Sequence, residues 1–333
     1  METTDIMLPC ICGATPHYER VVASRDQETG RIFHYRICPA CSLERLWPRP
    51  RAEEIGSYYP ASYAPHVGHS GGRADKLKHL IYETFWADES EIGASMIRWR
   101  WALRILLAPI RYRTALSFIP PQTRIIFEFG AARGTDLSAF KAAGWDVSGC
   151  EPSQQACELA SAQGIALQNT AAECAILKQN YYTCILLNNV FEHVHDPKAV
   201  LEKCYSGLQP GGILMMIVPN HASWSAKIFG AAWPGYDAPR HLWGWTPDAL
   251  HNHLASAGFR ITCIHHQATG SWLWKSMLDM RHAPGRPGKL RAWLSRNASP
   301  LLVPLSIAAA FAGRGDFIRV IARKTAPAEL HSF

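Results

Sequence analysis

The sequence has no apolar run long enough to cross a lipid bilayer. The longest stretch, residues 300–312, is too short, and Pro304 interrupts it. The first residues also lack the basic segment followed by an apolar segment that marks a secretory signal. From these two absences we expect a cytoplasmic protein, in which the ten cysteines stay reduced.

Charged residues are also few. Only 18% of the 333 residues are charged, whereas 48% are hydrophobic, and the formal net charge is +7. This is the composition of an ordinary globular protein, and the chain is long enough for roughly two domains with a sizeable core. The mild positive charge is compatible with an anionic partner but does not require nucleic acid.

Four of the ten cysteines form two close pairs near the N-terminus. Cys10 and Cys12 are the first pair, and Cys38 and Cys41 are the second, with glycine or proline in the adjoining turns. Two such turns can place four thiolates around one ion, so we predict a zinc ribbon with a closed structural Zn²⁺ site. The alternative is four free thiols in a small β-unit, because the first pair is separated by one residue rather than two.

The other six cysteines stand singly in apolar segments, where a cysteine usually behaves as a small hydrophobic residue. We therefore expect all of them in the core: Cys150, Cys157, Cys174, Cys184, Cys204 and Cys263.

A strand–helix–strand pattern with a glycine-containing turn organises the rest of the chain. The apolar strand 125–129 contains Glu128, and the turn after it holds Gly130 and Gly134. A helical pattern and a second strand follow, and that strand ends at Glu151. Glycines let a ligand approach the backbone, a helix N-terminus offers free N–H groups, and a carboxylate about twenty residues later accepts from ribose hydroxyls. The stretch predicts a nucleoside site, although taken by itself it leaves open a unit that binds no nucleoside.

This stretch resembles motif I of the class I S-adenosylmethionine (SAM)-dependent methyltransferases, an acidic residue followed by G-x-G-x-G. Ala132 stands where the family has its middle glycine, and Glu128 replaces the commoner aspartate. Three later blocks strengthen the resemblance: E-H-x-x-D-P, then L-x-P-G-G, then a strand that ends in P-N. They follow in the family's order and at its intervals, so the resemblance covers residues 121 to about 265 and the final strand.

The resemblance implies an α/β fold with a Rossmann-like seven-stranded class I methyltransferase sheet, an N-terminal zinc ribbon, a helical cap and insertions. We expect three parts along the chain. A zinc-ribbon-like domain covers residues 1–64, a helical cap covers 73–120, and the SAM-binding methyltransferase domain covers 121–325 with a helical insertion at about 270–315.

The resemblance also implies SAM as the cofactor and a set of residues that would clamp it. Glu173 lies where enzymes of this type usually pass the adenine, and Asn188, at the end of the fourth strand, would face the methionine end and the methyl group. The expected cofactor-binding set is Glu128, Gly130, Ala131, Gly134, Glu151, Glu173 and Asn188.

Two histidines are candidates for the base that removes a proton from the acceptor, because imidazole is half deprotonated near neutral pH. His193 follows the fourth strand, and its alternative is a capping or packing role. His241 lies in an aromatic loop with the block D-x-P-R-H-L, and its alternative is a structural hydrogen bond to that loop. In the same loop Tyr236, Asp237 and Arg240 are candidate substrate contacts, although the last two could instead pair with each other.

Some quinone-pathway O-methyltransferases are similar in this region and use a metal near the E-H pair. They need a further carboxylate three residues before the glutamate, and that position is Asn189 here. We therefore expect no catalytic Mg²⁺, although an asparagine can still donate an oxygen ligand.

These features predict methyl transfer from SAM to an oxygen of a small molecule, sugar or natural product, with a histidine as general base. A catalytically silent binding or scaffold protein stays open because of Ala132 and the missing carboxylate. A nucleic-acid methyltransferase is disfavoured, since no N-P-P-Y-type signature follows the fourth strand. The basic, aromatic segment 97–118 could make a peripheral membrane contact, or it could be a packed helix with a solvated basic face.

Overall fold

A computed structural model of the chain describes residues 10–14, 21–26, 29–60, 124–267, 270–279 and 303–325, with Leu80, Thr84, 99–100 and 102–104. The strands in these ranges are β1 (Val21–Arg25), β2 (Ile32–Ile37), β3 (Glu44–Trp47), β4 (Ile125–Phe129), β5 (Asp146–Cys150), β6 (Leu167–Gln168), β7 (Tyr182–Asn188), β8 (Leu208–Pro219), β9 (Trp243–Gly244), β10 (Phe259–Gln267) and β11 (Phe317–Lys324).

The helices in the same ranges are α1 (Thr135–Ala142), α2 (Gln154–Ser161), α3 (Pro197–Gly207), α4 (Trp224–Phe229), α5 (Pro247–Ser256), α6 (Gly270–Asp279) and α7 (Val303–Phe311). Three short 3₁₀ helices accompany them, at Ile55–Tyr58, Ala172–Cys174 and Gly230–Ala232.

Seven strands form the larger sheet, in the order β10-β11-β8-β7-β4-β5-β6. The strands β8, β7, β4, β5 and β6 are parallel, and β11 runs antiparallel to both of its neighbours. The central strand β4 is apolar almost throughout because both of its faces are covered, and Ile126, Phe127 and Phe129 are fully buried. The prediction of an α/β fold with a seven-stranded sheet is confirmed.

Helix starts in this sheet are fixed by side-chain caps. Ser153 accepts a hydrogen bond from the Ala156 N–H at the start of α2, and Thr246 accepts one from the Ala249 N–H at the start of α5. Pro247 occupies the first turn of α5, where its missing N–H costs nothing. These local signals make α2 and α5 begin directly after a strand or loop. The N-cap of α1 is Gly134, which makes no side-chain cap.

The smaller sheet combines strands from two distant parts of the chain. Its order is β1-β2-β3-β9, with antiparallel pairing throughout. The first three strands belong to the cysteine-containing N-terminal part, whereas β9 lies within the range 121–325. Glu44 pairs with Gly244 and Arg45 pairs with Trp243. The N-terminal part therefore shares a sheet with the methyltransferase-like range, and the domain boundaries given above stay predictions.

Most of the expected helical cap, 73–120, lies outside the described residues. Within it, the Arg100 side chain is only 6% exposed, and its Nε donates to the Thr84 carbonyl at 2.8 Å. The expectation of a solvated basic face is therefore wrong for Arg100, while Trp99 is 69% exposed. The remaining arginines of segment 97–118, apart from Arg104, are outside the described ranges.

The insertion is helical where it is described, at α6 and α7, and its residues 280–302 lie outside the described part. Across the described helices, none combines the length and the apolar character that a membrane crossing requires.

The single cysteines divide by burial. Cys150, Cys184 and Cys204 lie in the core as expected, and Cys157 and Cys263 are partly buried. Cys174 is exposed, which corrects the expectation for that residue. Its 3₁₀ helix turns only Ala172 inward, so the apolar neighbours in the sequence do not bring the thiol into the core.

Candidate cofactor and acceptor site

A cavity of about 1120 Å³ opens at the carboxyl ends of β4, β5 and β7. This edge is where ligands bind in open parallel sheets, because neighbouring loops diverge there. Six of the seven expected cofactor-binding residues line the cavity; they are Glu128, Gly130, Ala131, Glu151, Glu173 and Asn188. Gly134, the seventh, does not line the cavity. It is the N-cap of α1, with a left-handed φ of 73° that ends the glycine turn.

The glycine turn is dictated by packing as well as by any ligand. Gly130 has a φ of 58°, and a Cβ there would lie 2.5 Å from the Val190 Cγ2 atom, which is closer than real contacts allow. Ala132 is also left-handed, with a φ of 47°, a conformation that costs an alanine energy but suits a glycine. The departure from the family's motif therefore strains the backbone, in addition to placing a methyl group at the turn.

The Glu151 carboxylate ties the end of β5 to the glycine turn. Its Oε2 accepts from the Ala132 N–H at 2.9 Å, and its Oε1 accepts from the Ser153 N–H at 2.9 Å. The residue is 3% exposed and borders the cavity. A carboxylate in this place, at the end of the second strand, is the group that accepts from ribose hydroxyls in nucleoside-binding units.

Two other polar contacts shape the cofactor side of the cavity. The Asn188 Nδ2 atom donates to the Asp136 Oδ2 atom at 3.0 Å, which links the end of β7 to the first turn of α1. Asp136 was missed by the sequence reasoning, although an acid in the first turn of the helix after the glycines was the available signal. Glu173 accepts from the His195 N–H at 2.5 Å, so its carboxylate fixes the E-H-x-x-D-P loop.

The two candidate bases meet on the far side of the cavity, with ring centroids 4.7 Å apart. The His193 Nδ1 atom lies 3.0 Å from the Arg240 carbonyl oxygen, and the His241 Nδ1 atom lies 2.8 Å from the Gly235 carbonyl oxygen. A carbonyl oxygen only accepts, so each Nδ1 carries the hydrogen of the neutral ring. Each Nε2 therefore presents a lone pair.

Both lone pairs face Glu192, which the sequence reasoning passed over even though it is the first residue of the E-H pair. Its Oε1 lies 4.0 Å from the Nε2 of His193 and 4.0 Å from the Nε2 of His241. The residue is 1% exposed, and neither carboxylate oxygen has a hydrogen-bond partner among the described residues.

Burial shifts the proton equilibrium of this group of three residues. It raises the pKa of the Glu192 carboxyl to about 8, and the nearby charge of Asp237 adds to the rise. Burial lowers the pKa of His193 to about 3 and also lowers the pKa of His241. A buried charge without a bound counter-ion is costly, so both imidazoles are neutral at pH 7 and the carboxyl keeps its proton.

The other loop residues have different surroundings. Arg240 donates to both carboxylate oxygens of Asp237, at 2.7 and 2.5 Å, and also to the Tyr58 carbonyl. Burial opposes ionisation of Asp237, but the Arg240 hydrogen bonds and the charge interactions with neighbouring groups together lower its pKa. The two residues pair with each other, as one of the two alternatives expected. Tyr236 is buried against Tyr35 and is not among the residues that line the cavity.

The four paired cysteines are brought together at a distance from this cavity. The Cys10 and Cys41 sulfurs are 3.6 Å apart, and the Cys12 and Cys38 sulfurs are 3.8 Å apart. All four sulfurs lie within 4.8 Å of one another. Zinc with tetrahedral bonds of about 2.3 Å separates its sulfur ligands by about 3.8 Å, so the arrangement is compatible with a zinc ribbon.

Comparison with known proteins gives a match over the central part of the chain. The family model described as "Methyltransferase domain" matches residues 100–264. A ubiquinone biosynthesis O-methyltransferase of Cereibacter sphaeroides is 30% identical over 125 residues, which are 34% of this chain and 51% of that protein. One of the same name from Idiomarina loihiensis is 28% identical over 155 residues, 41% of this chain and 59% of that protein. The chain thus spans about half the length of the curated relatives it matches.

Solved structures with a similar chain path include a SAM-dependent methyltransferase from Thermotoga maritima, with a TM-score of 0.45 and 16% identity over 74% of this chain and 100% of that chain. A SAM-dependent methyltransferase from Archaeoglobus fulgidus has a TM-score of 0.43 and 18% identity over 74% of this chain and 98% of that chain.

Proposed function

This chain belongs to the class I S-adenosylmethionine-dependent methyltransferases, and we propose that it transfers the methyl group of SAM to a hydroxyl oxygen of a small acceptor. The observation that carries the proposal is that one cavity holds both a nucleoside-type turn and two histidine lone pairs. A cofactor side and an acceptor side that open into the same space can hold two reactants in line, which removes much of the entropic barrier.

The residues of the cofactor side would bind and orient SAM, which when bound supplies an electrophilic methyl group on a sulfonium. Glu151, which is buried at the end of β5 and borders the cavity, would accept from the ribose hydroxyls. The turn is left-handed at Gly130, Ala132 and Gly134 and borders the same cavity. Asn188, held by Asp136, would border the methionine end.

The residues of the acceptor side would bind a hydroxyl group and take its proton. His193 and His241 both present Nε2 as an acceptor, and either can serve as the general base. The two rings lie within a cavity rather than on an open surface, which favours a small molecule, sugar or natural product over a nucleic acid. The O-methyltransferase names of the curated relatives support oxygen as the methylated atom.

We also infer that the four paired cysteines hold one structural Zn²⁺. The fit of the sulfur separations to tetrahedral coordination supports this, and four protein ligands leave no open position for chemistry. Its effect on function would be indirect, through the sheet that the N-terminal part shares with β9.

Two measurements test the proposed function. The first is calorimetric titration of the purified full chain with SAM and with its demethylated product, for which we expect micromolar binding. Glu151→Ala should abolish it, since the turn loses its anchor and the ribose loses an acceptor. Glu158→Ala is the matched control, because Glu158 is an exposed carboxylate on α2 that bonds only to Gln154 across one helical turn.

The second measurement is incubation of the full chain with SAM and a panel of simple catechols, phenols and methyl glycosides, with detection of the methylated product by mass spectrometry. We expect an O-methyl product that is lost in the double variant His193→Ala, His241→Ala. Tight SAM binding without transfer to any panel compound would favour the alternative of a catalytically silent binding or scaffold protein. An N-methyl or C-methyl product would overturn the assignment of oxygen as the methylated atom.

A further inference from the structure

We propose that Glu192 is the final acceptor of the proton released by the hydroxyl that is methylated, so that the base is a group of three residues and not one histidine. The inference rests on the proposed function, since it requires a hydroxyl at the histidine pair. It goes beyond that function because it gives Glu192, the first residue of the E-H pair, a catalytic role separate from that of the histidines.

The geometry that carries this inference is a pocket that holds three acceptors once Glu192 is ionised. Both Nδ1–H groups are bonded to backbone carbonyls, so the Nε2 atoms of His193 and His241 can only accept. Glu192 Oε1 lies 4.0 Å from each of them and has no hydrogen-bond partner among the described residues. Buried polar atoms are normally paired, and an unpaired set of this kind indicates a ligand that donates.

The separations suit a hydroxyl better than a metal ion. A metal with bonds of about 2.1 Å holds its ligand atoms roughly 3.0–3.4 Å apart. An oxygen atom at about 2.8 Å from two hydrogen-bond partners leaves them roughly 4–5 Å apart. Glu192, His193 and His241 are grouped closely enough to hold a metal ion, with ligand atoms within 4.8 Å of one another. The two separations of 4.0 Å nevertheless match hydrogen-bond dimensions better.

The proton balance then follows. As the O–H bond of the acceptor breaks, a new O–CH₃ bond forms and the S–CH₃ bond of SAM breaks, so the sulfonium becomes a neutral thioether. The proton passes to an Nε2 and from there to the ionised Glu192 carboxylate, which ends as a neutral acid. A neutral acid is stable in this buried place, whereas an imidazolium is not, as the opposite pKa shifts of Glu192 and His193 indicate.

The charged groups around Glu192 also favour the protonated form of its carboxyl. The Asp237 charge raises its pKa further, and this aspartate is itself held by Arg240, which turns its guanidinium to the carboxylate and to the Tyr58 carbonyl. The Tyr59 hydroxyl lies 3.0 Å from the His193 Nδ1 atom, on the side of the ring away from Glu192. Among the described residues, no cation bonds to Glu192 itself, so nothing there holds the carboxylate ionised at neutral pH.

The first experiment determines which of the three residues holds the proton, and it does not require the natural methyl acceptor. The full chain is labelled with ¹³C in its glutamate carboxyls and ¹⁵N in its histidine rings, and is titrated by NMR in the presence of S-adenosylhomocysteine. We expect one carboxyl resonance, absent in Glu192→Gln, with a midpoint near pH 8, and two imidazoles that stay neutral with the hydrogen on Nδ1. A Glu192 midpoint below pH 5, or histidines charged at pH 7, would overturn the proposal.

The second experiment uses whichever panel compound the chain methylates. The rate of the wild type should rise tenfold per pH unit up to a plateau above pH 8, because the carboxylate must be ionised to receive the proton. Glu192→Gln should lose the rise of the rate with pH, and its rate should be about a hundredfold below the wild-type plateau. Glu192→Asp should keep a rise of the rate with pH, because a carboxylate is still present. Glu158→Gln, which removes an exposed carboxylate on α2 away from the cavity, should match the wild type.

Failures of the two proposals are distinguishable. If no panel compound is methylated, the proposed function fails its own test while the NMR titration still decides where the proton is held. If methylation occurs and Glu192→Gln keeps both the rate and the rise with pH, the histidines act without Glu192. Retention of a divalent metal by the wild type that is lost in Glu192→Gln would also overturn the assignment, since the residue would then be a ligand.

Discussion

The phenolic oxygen of Tyr59 lies 3.0 Å from the Nδ1 atom of His193, although the two residues are 134 positions apart in the sequence. Tyr59 belongs to the N-terminal part of the chain, and His193 belongs to the E-H pair after β7. The N-terminal part therefore reaches the candidate base directly, and it borders the same cavity as the expected cofactor-binding residues.

Other contacts make this approach part of one interface. The Tyr35 hydroxyl donates to the His241 carbonyl at 2.7 Å, and the Ser24 hydroxyl donates to the Tyr236 carbonyl at 2.8 Å. Both donors lie on strands of the smaller sheet, and both acceptors lie in the loop that carries the second histidine. The cysteine-containing part thus positions the acceptor side of the cavity, while the cofactor side is built by the larger sheet.

Replacement of Tyr59 by phenylalanine tests this arrangement. The variant keeps the ring but removes the hydroxyl, so His193 retains only the Arg240 carbonyl as a partner for its Nδ1–H. Loss of one such hydrogen bond is worth about 1 kcal/mol, so we expect turnover to fall roughly two- to tenfold. SAM affinity, measured by calorimetry, should change less than turnover, because the hydroxyl that is removed bonds to the candidate base on the acceptor side of the cavity.

Tyr58→Phe is the matched control for this prediction. Its hydroxyl accepts only a long bond of 3.4 Å from Arg31 on the exposed side, while its backbone carbonyl, which Arg240 uses, is kept in the variant. Equal losses in both variants, or a loss of SAM affinity in Tyr59→Phe, would show that the tyrosines support the fold and do not orient His193.

Metal content gives a second prediction. We expect one Zn²⁺ per chain by elemental analysis, lost in Cys38→Ser, because three thiolates and a hydroxyl bind zinc far more weakly than four thiolates. The unfolding temperature should also fall, since the smaller sheet that ends in β9 loses its anchor. Cys174→Ser, which changes an exposed single cysteine, should keep both the zinc and the unfolding temperature. Purified wild type without zinc would leave the alternative of four free thiols.

The backbone at Ala132 gives a third prediction. A left-handed alanine costs about 1–2 kcal/mol, whereas a glycine adds up to about 1 kcal/mol of entropy to the unfolded chain. Ala132→Gly should therefore raise the free energy of unfolding by about 0.5–1 kcal/mol in chemical denaturation and should bind SAM at least as tightly. Ala131→Gly is the contrast, because Ala131 is not left-handed, and it should lose stability. Weaker SAM binding in Ala132→Gly would mean that the methyl group at the turn contributes to the site.

The parts of the molecule that could be predicted from the sequence are those with local causes. The glycine turn, the strand ending at Glu151 and the histidine after β7 each follow from a short pattern, because a strand, a turn and a helix start are set by neighbouring residues. Six of the seven expected cofactor-binding residues reach one cavity for the same reason, since the carboxyl ends of parallel strands meet at one edge.

The parts that could not be predicted depend on long-range contacts. Nothing near Trp243 in the sequence reveals that β9 pairs with β3, because strand pairing is decided by partners far along the chain. Glu192 was read as one half of a motif, and only its burial against both histidines gives it a separate chemistry. Tyr59 lies far from His193 in the sequence, and only the fold brings the two side chains together.

The fourth prediction concerns stability as a function of pH and does not depend on any acceptor. Burial raises the folded-state pKa of Glu192 from its ordinary 4.5 to about 8. Between these values the folded chain holds a proton that the unfolded chain has released, so this residue makes stability fall as pH rises, by about 1.4 kcal/mol per pH unit at most, and its effect levels off above pH 8. Glu192→Gln removes this dependence of stability on pH. The lowered pKa of His193 changes stability only below its ordinary value of 6.5, and it does so equally in the wild type and the variant.

Urea unfolding from pH 5 to pH 9 measures this difference directly. The free energy of unfolding of Glu192→Gln, taken relative to the wild type, should increase steadily from pH 5 to pH 8 and then stay constant, whatever its absolute value. Glu53→Gln, which removes an exposed carboxylate, is the control and should run parallel to the wild type. A difference between Glu192→Gln and the wild type that does not change with pH would mean that Glu192 is already ionised in the folded chain. Burial would then not have raised its affinity for a proton.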